Sequence, residues 1–170
     1  VPKVFGELLF LLEYREEEVS PLYRPAGFSL PKNLWIIATA NTADRSIALM
    51  DAALRRRFYF VDYYPDRPPI EGLLERWLEK NNLTTVEWLV PVLSEANRLL
   101  DDPEAAIGPS HFLLSDPSDL SEERIARIWN HAVLAYVQEQ LVGEPERLEE
   151  FSLGRLRENV ETAGTEPLDA

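Results

Sequence analysis

The chain has 170 residues, 45% of them hydrophobic, which is enough to bury a core and suggests one domain or one domain with a small satellite. It contains no cysteine and two well-separated histidines, so a disulfide framework, a thiolate metal site and a histidine-based metal centre are all excluded as organising features, and no metal ligands are assigned. The net charge is −13, a balance that repels phosphate backbones and argues against DNA binding by this piece alone.

In chain order, Val4, Phe5, Leu8, Leu9, Leu11 and Leu12 recur at helical spacing, and an acidic run, Glu16-Glu17-Glu18, follows. Glu7 and Glu13 lie six apart on this helix and so on different faces; they read as surface or interface groups rather than an acid–base pair. Pro21, Pro25, Gly27 and Pro31 punctuate an irregular segment with room for a short hairpin. The apolar run 34–40 then ends abruptly in Asn41-Thr42 and reads as a strand buried on both faces, as in a parallel sheet between helices. A short helix is expected around 47–50, capped by Asp44 or Ser46, with Asp51 capping the next turn. Residues 58–62 read as a second, aromatic-rich strand.

Pro65, Pro68 and Pro69 mark a hinge into an all-helical half. Helices are expected over 70–81, 85–100, 121–141 and 146–159, and in the third Ile125, Ile128, Trp129, Ala132 and Tyr136 define one apolar face. The connection 99–120 carries three prolines and a glycine, and loops of that length are often functional. Trp35, Trp77, Trp88 and Trp129 are expected in the core. No apolar run reaches ~18 residues, which excludes a membrane-spanning helix, and no charged-then-apolar leader is present; the expected setting is cytoplasmic.

The chemistry concentrates where the first strand ends. Parallel sheets bind ligands at their C-terminal edge, and there Asn41, Thr42, Asp44 and Arg45 place an amide, a hydroxyl, a carboxylate and a guanidinium within five residues, followed by Arg55, Arg56 and Arg57. Residues 41–60 hold four Arg against two Asp in an otherwise acidic chain. That island suits a small polyanion or an acidic neighbour. Plainer readings exist for each group: Asn-Thr is ordinary turn chemistry, Asp44 can be a cap, and arginines near a helix end stabilise its dipole by ~0.3–1 kcal/mol each.

These residues resemble the second half of an AAA+ nucleotide-driven motor, most closely the McrB-type motor subunit of modified-cytosine restriction systems. Ala40-Asn41-Thr42-Ala43-Asp44-Arg45-Ser46 is similar to that family's Met-Asn-Thr-x-x-Arg signature with Ala for Met, and Leu54-Arg55-Arg56-Arg57-Phe58 to its arginine segment. Val1-Pro2-Lys3-Val4-Phe5-Gly6-Glu7-Leu8 looks like the helix after the Walker B acids; Ile107-Gly108-Pro109-Ser110-His111-Phe112 and Ile128-Trp129 resemble the lid.

The resemblance implies an α/β fold over 1–66, part of a three-layer AAA+ core, then an all-α lid subdomain over 67–160 and a disordered tail over 161–170. It implies that Asn41 is the sensor that contacts the γ-phosphate and the attacking water, and that Arg56 or Arg57 is an arginine finger reaching a neighbour's site. Asp51 is expected to pair with one of them; with Thr42, Asp44, Arg45 and His111 it falls in the nucleotide-facing set, although a neutral loop histidine is the plainer reading of His111. The cofactor implied is GTP or ATP with Mg2+, in the complete parent protein only. Neither a Gly-x-x-x-x-Gly-Lys-Ser/Thr loop nor an Asp-Glu pair ending an apolar strand is present. The chain therefore reads as a fragment or natural half-domain, not catalytic alone. Its implied partners are the N-terminal half of the core, homo-oligomeric ring neighbours and a McrC-type nuclease subunit, with DNA reached only through other domains. A MoxR-like chaperone piece, or a non-hydrolysing module that lends its arginines to a partner NTPase, are the alternatives.

Overall fold

A computed structural model of the chain describes residues 2–20, 26–39 and 56–163. It divides into two compact units, Val1–Asp62 and Tyr63–Ala170.

In the first unit, helix α1 spans Pro2–Glu13. Leu9 and Leu11 are buried while Leu8 and Leu12 are half-buried; Phe10 and Tyr14 lie exposed beside each other, ring centroids 4.9 Å apart. The expected hairpin appears as one antiparallel bridge, in which Val19 and Phe28 exchange both backbone hydrogen bonds at 2.9 and 2.8 Å. Leu30 is buried. The Arg15 guanidinium donates to the Leu34 carbonyl at 3.2 Å, and Lys32 pairs with Glu16 at 2.7 Å.

The expected α/β architecture is not found: among the described residues there is no strand and no sheet, and the structure is helical. Among the described residues, neither strand reading, 34–39 nor 58–62, forms a strand. Trp35 is 89% exposed and Ile37 95%, and Tyr59 is fully exposed. An apolar run becomes a strand only when neighbouring backbone satisfies its N–H and C=O groups, because β-preference reflects fit to a sheet rather than an intrinsic backbone choice. Trp35 is thus not a core residue. The short helix near 47–50 and its caps lie outside the described residues.

The second unit is all-helical. Turns over 64–72 lead into α2, Leu73–Lys80, which starts later than its apolar pattern suggests because Gly72 adopts φ 65, a left-handed conformation that costs glycine little. A single 3-10 turn, Thr84–Val86, connects to α3, Leu89–Leu100. Leu89, Val92, Leu93, Ala96 and Leu100 form its buried stripe. In the loop that follows, Asp102 and Asp116 each precede a proline, and each carboxylate accepts a backbone N–H two residues on, at 3.0 Å. Ser121 then caps α4, Glu122–Ile128, accepting from the Arg124 N–H at 3.2 Å.

Helix α4 runs through a π-turn, Trp129–Val133, into α5, Leu134–Gln140. The residues buried along this rod are Ile125, Trp129, Val133, Val137 and Leu141, four apart throughout. An α-helix turns about 100° per residue, so each step of four overshoots by about 40°. The wider π-turn absorbs part of that drift and keeps all five on the core. For the same reason the expected face is right at Ile125 and Trp129, whereas Ala132 and Tyr136 are only half-buried and Val133 and Val137 take their places. A 3-10 segment, Pro145–Phe151, leads to α6, Leu153–Ala163, which packs along α3. The helix includes residues 161–163 of the expected tail; 164–170 lie outside the described residues.

At the centre of this unit the fully buried Trp129 stacks on Phe112, centroids 6.1 Å apart, and donates its indole N–H to the Phe151 carbonyl at 2.9 Å. Trp88 packs at the edge, with the Arg157 guanidinium 4.1 Å above its ring; its buried Nε1 meets no acceptor among the described residues.

Candidate functional site

Of the residues singled out from sequence, Asn41, Thr42, Asp44, Arg45 and Asp51 lie outside the described residues, as does Arg55. The two remaining arginines differ. Arg56 is exposed, whereas Arg57 is largely covered and ion-paired with Glu13 at the end of α1. Glu13, expected to be a surface or interface group, is therefore the fixed partner of an arginine. A guanidinium held in this way costs charge-pair energy to redirect, while Arg56 is exposed and has no ion pair among the described residues.

His111 closes a 3-10 turn, Pro109–His111, with its ring edge-on to Phe112 at 6.3 Å. The imidazole is half-buried, and burial lowers its pKa below the usual 6.5. It is neutral at pH 7, a hydrogen-bond donor through one nitrogen rather than a cation. The turn is held from both flanks. The Asn97 amide engages Ile107 through two hydrogen bonds, Oδ1 accepting from the N–H at 2.6 Å and Nδ2 donating to the carbonyl at 3.0 Å. Tyr136 donates to the Ala105 carbonyl at 3.1 Å. Burial, and then the carboxylates of Asp102 and Glu139, raise the Tyr136 pKa, so the hydroxyl keeps the proton it donates. Asn97 was not singled out from sequence, and Tyr136 was read only as a member of an apolar helix face.

Because the unfolded chain takes up the His111 proton more readily than the folded one, stability should be level above about pH 6.5 and fall as pH drops from there through the lower folded value. Urea unfolding between about pH 5 and pH 8 checks this: His111→Gln is expected to remove that part of the slope. An unchanged slope in the variant would exclude His111 as its source.

A shallow groove between α3 and α6 is lined by Val90, Pro91, Ser94, Val160 and Ala163, with Glu95 and Arg98 on one wall. Those two charges satisfy each other at 2.6 and 2.8 Å, and the arginine hydrogen bond holds the Glu95 pKa below its usual value. The groove offers no surplus cation to a phosphate. No set of three His, Asp or Glu side chains among the described residues is placed to hold a metal. The described residues therefore do not fit Mg2+ or a nucleotide by themselves. Among them, no helix is long and apolar enough to cross a membrane.

Residues 89–149 match the family model of the McrB α-helical lid domain. The type IV methyl-directed restriction enzyme EcoKMcrB subunit of Escherichia coli K12 is 38% identical over an alignment of 115 positions that covers 62% of this chain and 25% of that protein. Cortactin-binding protein 2 from Atelerix albiventris is 24% identical over an alignment of 180 positions covering 90% of this chain, and that from Ornithorhynchus anatinus 22% over 167 positions covering 82%. The chain spans a quarter of the restriction subunit's length and about a tenth of theirs. The lid match takes in α3, the loop bearing His111, and the rod from α4 to α5.

Proposed function

From a chain that carries a McrB-type lid and belongs with the C-terminal portion of McrB-type AAA+ proteins, we infer a part of a restriction-system NTPase that contributes to a shared nucleotide site without containing the phosphate grip. The observation that carries this reading is the order within one chain: Asn41-Thr42 and Arg45, then Arg55-Arg56-Arg57, then the lid at residues 89–149. The McrB-type lid at its end favours a McrB-type motor over a MoxR-like chaperone. The complete protein would hydrolyse GTP or ATP in a homo-oligomeric ring beside a McrC-type nuclease subunit. DNA would be held elsewhere, since a net charge of −13 opposes it here.

Within that reading, Mg2+ with GTP or ATP, when bound through residues not in this sequence, supplies the phosphoanhydride bond. This chain supplies hydrogen-bond donors and positive charge around it. Asn41 offers an amide that can donate and accept at once; Thr42, Asp44, Arg45 and Asp51 support that edge of the site. Arg56 is the finger offered to a neighbouring subunit, and Arg57, tied to Glu13, is its anchored neighbour. His111 contributes a neutral donor from the lid.

Asn41→Ala in a complete protein carrying this sequence tests the reading. An orienting amide acts on the chemical step, so kcat should fall by ~10²–10³-fold with little change in nucleotide affinity. Lost affinity with kcat retained would instead make Asn41 a binding residue, and wild-type kinetics would remove it from the site.

A further inference from the structure

Segment 101–112 leaves α3 and returns to the core at Phe112 with nothing more regular than single 3-10 turns, so its backbone polar groups must find partners outside any ladder. Asn97 spends both ends of its amide on Ile107. A side chain here reproduces the two-bond exchange of an antiparallel strand pair, which fixes the direction of the Ile107 backbone as well as its position. The Ile107 side chain is itself fully buried. Five residues on, the buried Phe112 ring is fixed against Trp129. Between these two anchors lie Gly108 and the turn Pro109–His111, in which Ser110 is exposed and His111 half-buried.

We propose that Asn97 is a positioning residue, whose clamp on Ile107 sets where the lid presents Ser110 and His111 to a ligand. The clamp stands on the geometry above; that the ligand is a nucleoside triphosphate rests on the function proposed for His111. Tyr136 supports the same segment from α5 through one hydrogen bond, at Ala105, two residues before the clamp.

The test uses Asn97→Ala and Asn97→Asp in this chain, with the His111 imidazole followed by NMR across pH and assigned with His111→Gln. Loss of the clamp is expected to move the His111 midpoint up toward 6.5 while the Trp129 indole signal keeps its folded dispersion. Asn97→Asp keeps the acceptor for the Ile107 N–H and loses the donor, so an intermediate midpoint is expected; it also serves as the judged variant if Asn97→Ala does not fold. A midpoint unchanged in a folded variant overturns the proposal.

In a complete protein, Asn97→Ala is expected to lower kcat by roughly tenfold to a hundredfold. Combined with His111→Ala it should lose no more than His111→Ala alone, because a positioning residue acts through the group it positions. Fully additive losses overturn the positioning role. If His111→Ala leaves turnover intact while Asn97→Ala still moves the His111 midpoint, the clamp is supported and the nucleotide-facing reading of His111 is overturned.

Discussion

Arg56→Ala in a complete McrB-type protein carrying this sequence is expected to lower kcat by ~10³–10⁵-fold, the loss that accompanies removal of an arginine finger. The sequence leaves Arg56 and Arg57 as equal candidates, since successive helical residues point about 100° apart and only their surroundings can separate them. In the structure Arg57 is spent on Glu13 and mostly covered, while Arg56 is exposed. Arg57→Ala should therefore act first on the first unit, releasing α1 from its partner at a cost of about 1 kcal/mol or less, because Glu13 is half exposed to solvent. Steady-state turnover beside urea unfolding of both variants separates the two roles. A larger kcat loss for Arg57→Ala than for Arg56→Ala would reverse the assignment.

Trp129→Ala should destabilise the second unit by ~3–5 kcal/mol, enough to unfold a marginal domain at ambient temperature. The indole fills the centre of the core, stacks on Phe112 and satisfies the Phe151 carbonyl, so truncation opens a cavity and orphans a buried acceptor together. Trp129→Phe keeps most of the volume and loses only the hydrogen bond, for which ~1–3 kcal/mol is expected. Chemical denaturation of this chain, followed by far-UV circular dichroism, measures both. Equal losses for the two variants would mean that the hydrogen bond, not the packing, dominates at this position.

The helical half was legible where periodicity is strong and local. The helices expected over 85–100 and 121–141 are found as α3 and as the rod from α4 to α5. The face of the α4–α5 rod was legible only as far as Trp129, because a π-turn changes the period and no single residue announces it. The two apolar runs read as strands failed for a different reason. Residues 34–39 and 58–62 have strand composition, but strand formation is a property of neighbours, and among the described residues none pair with them.

The site shows the same division. The nucleotide-facing residues near Asn41 came from motif resemblance and lie outside the described residues, whereas the lid resemblance drawn from Ile107–Phe112 and Ile128-Trp129 falls within the matched lid domain. The hydrogen-bonding roles of Asn97 and Tyr136 were not legible. Their hydrogen bonds span 10 and 31 residues and depend on the path of a loop whose conformation the sequence does not specify locally. The pairing of Arg57 with Glu13, across 44 residues, and the cover over Arg57 distinguish the two arginines.

The central claim, that this chain lends an arginine to a neighbour's nucleotide site, is tested most directly by mixing two inactive variants of the complete protein. One carries Arg56→Ala; the other keeps Arg56 and has its own Walker B acid removed. In a mixed ring, the intact pocket of the first subunit receives the arginine of the second, so turnover should return on mixing and depend on assembly. If differently tagged subunits co-purify as mixed rings and no turnover returns, Arg56 does not act across the interface and the claim is contradicted.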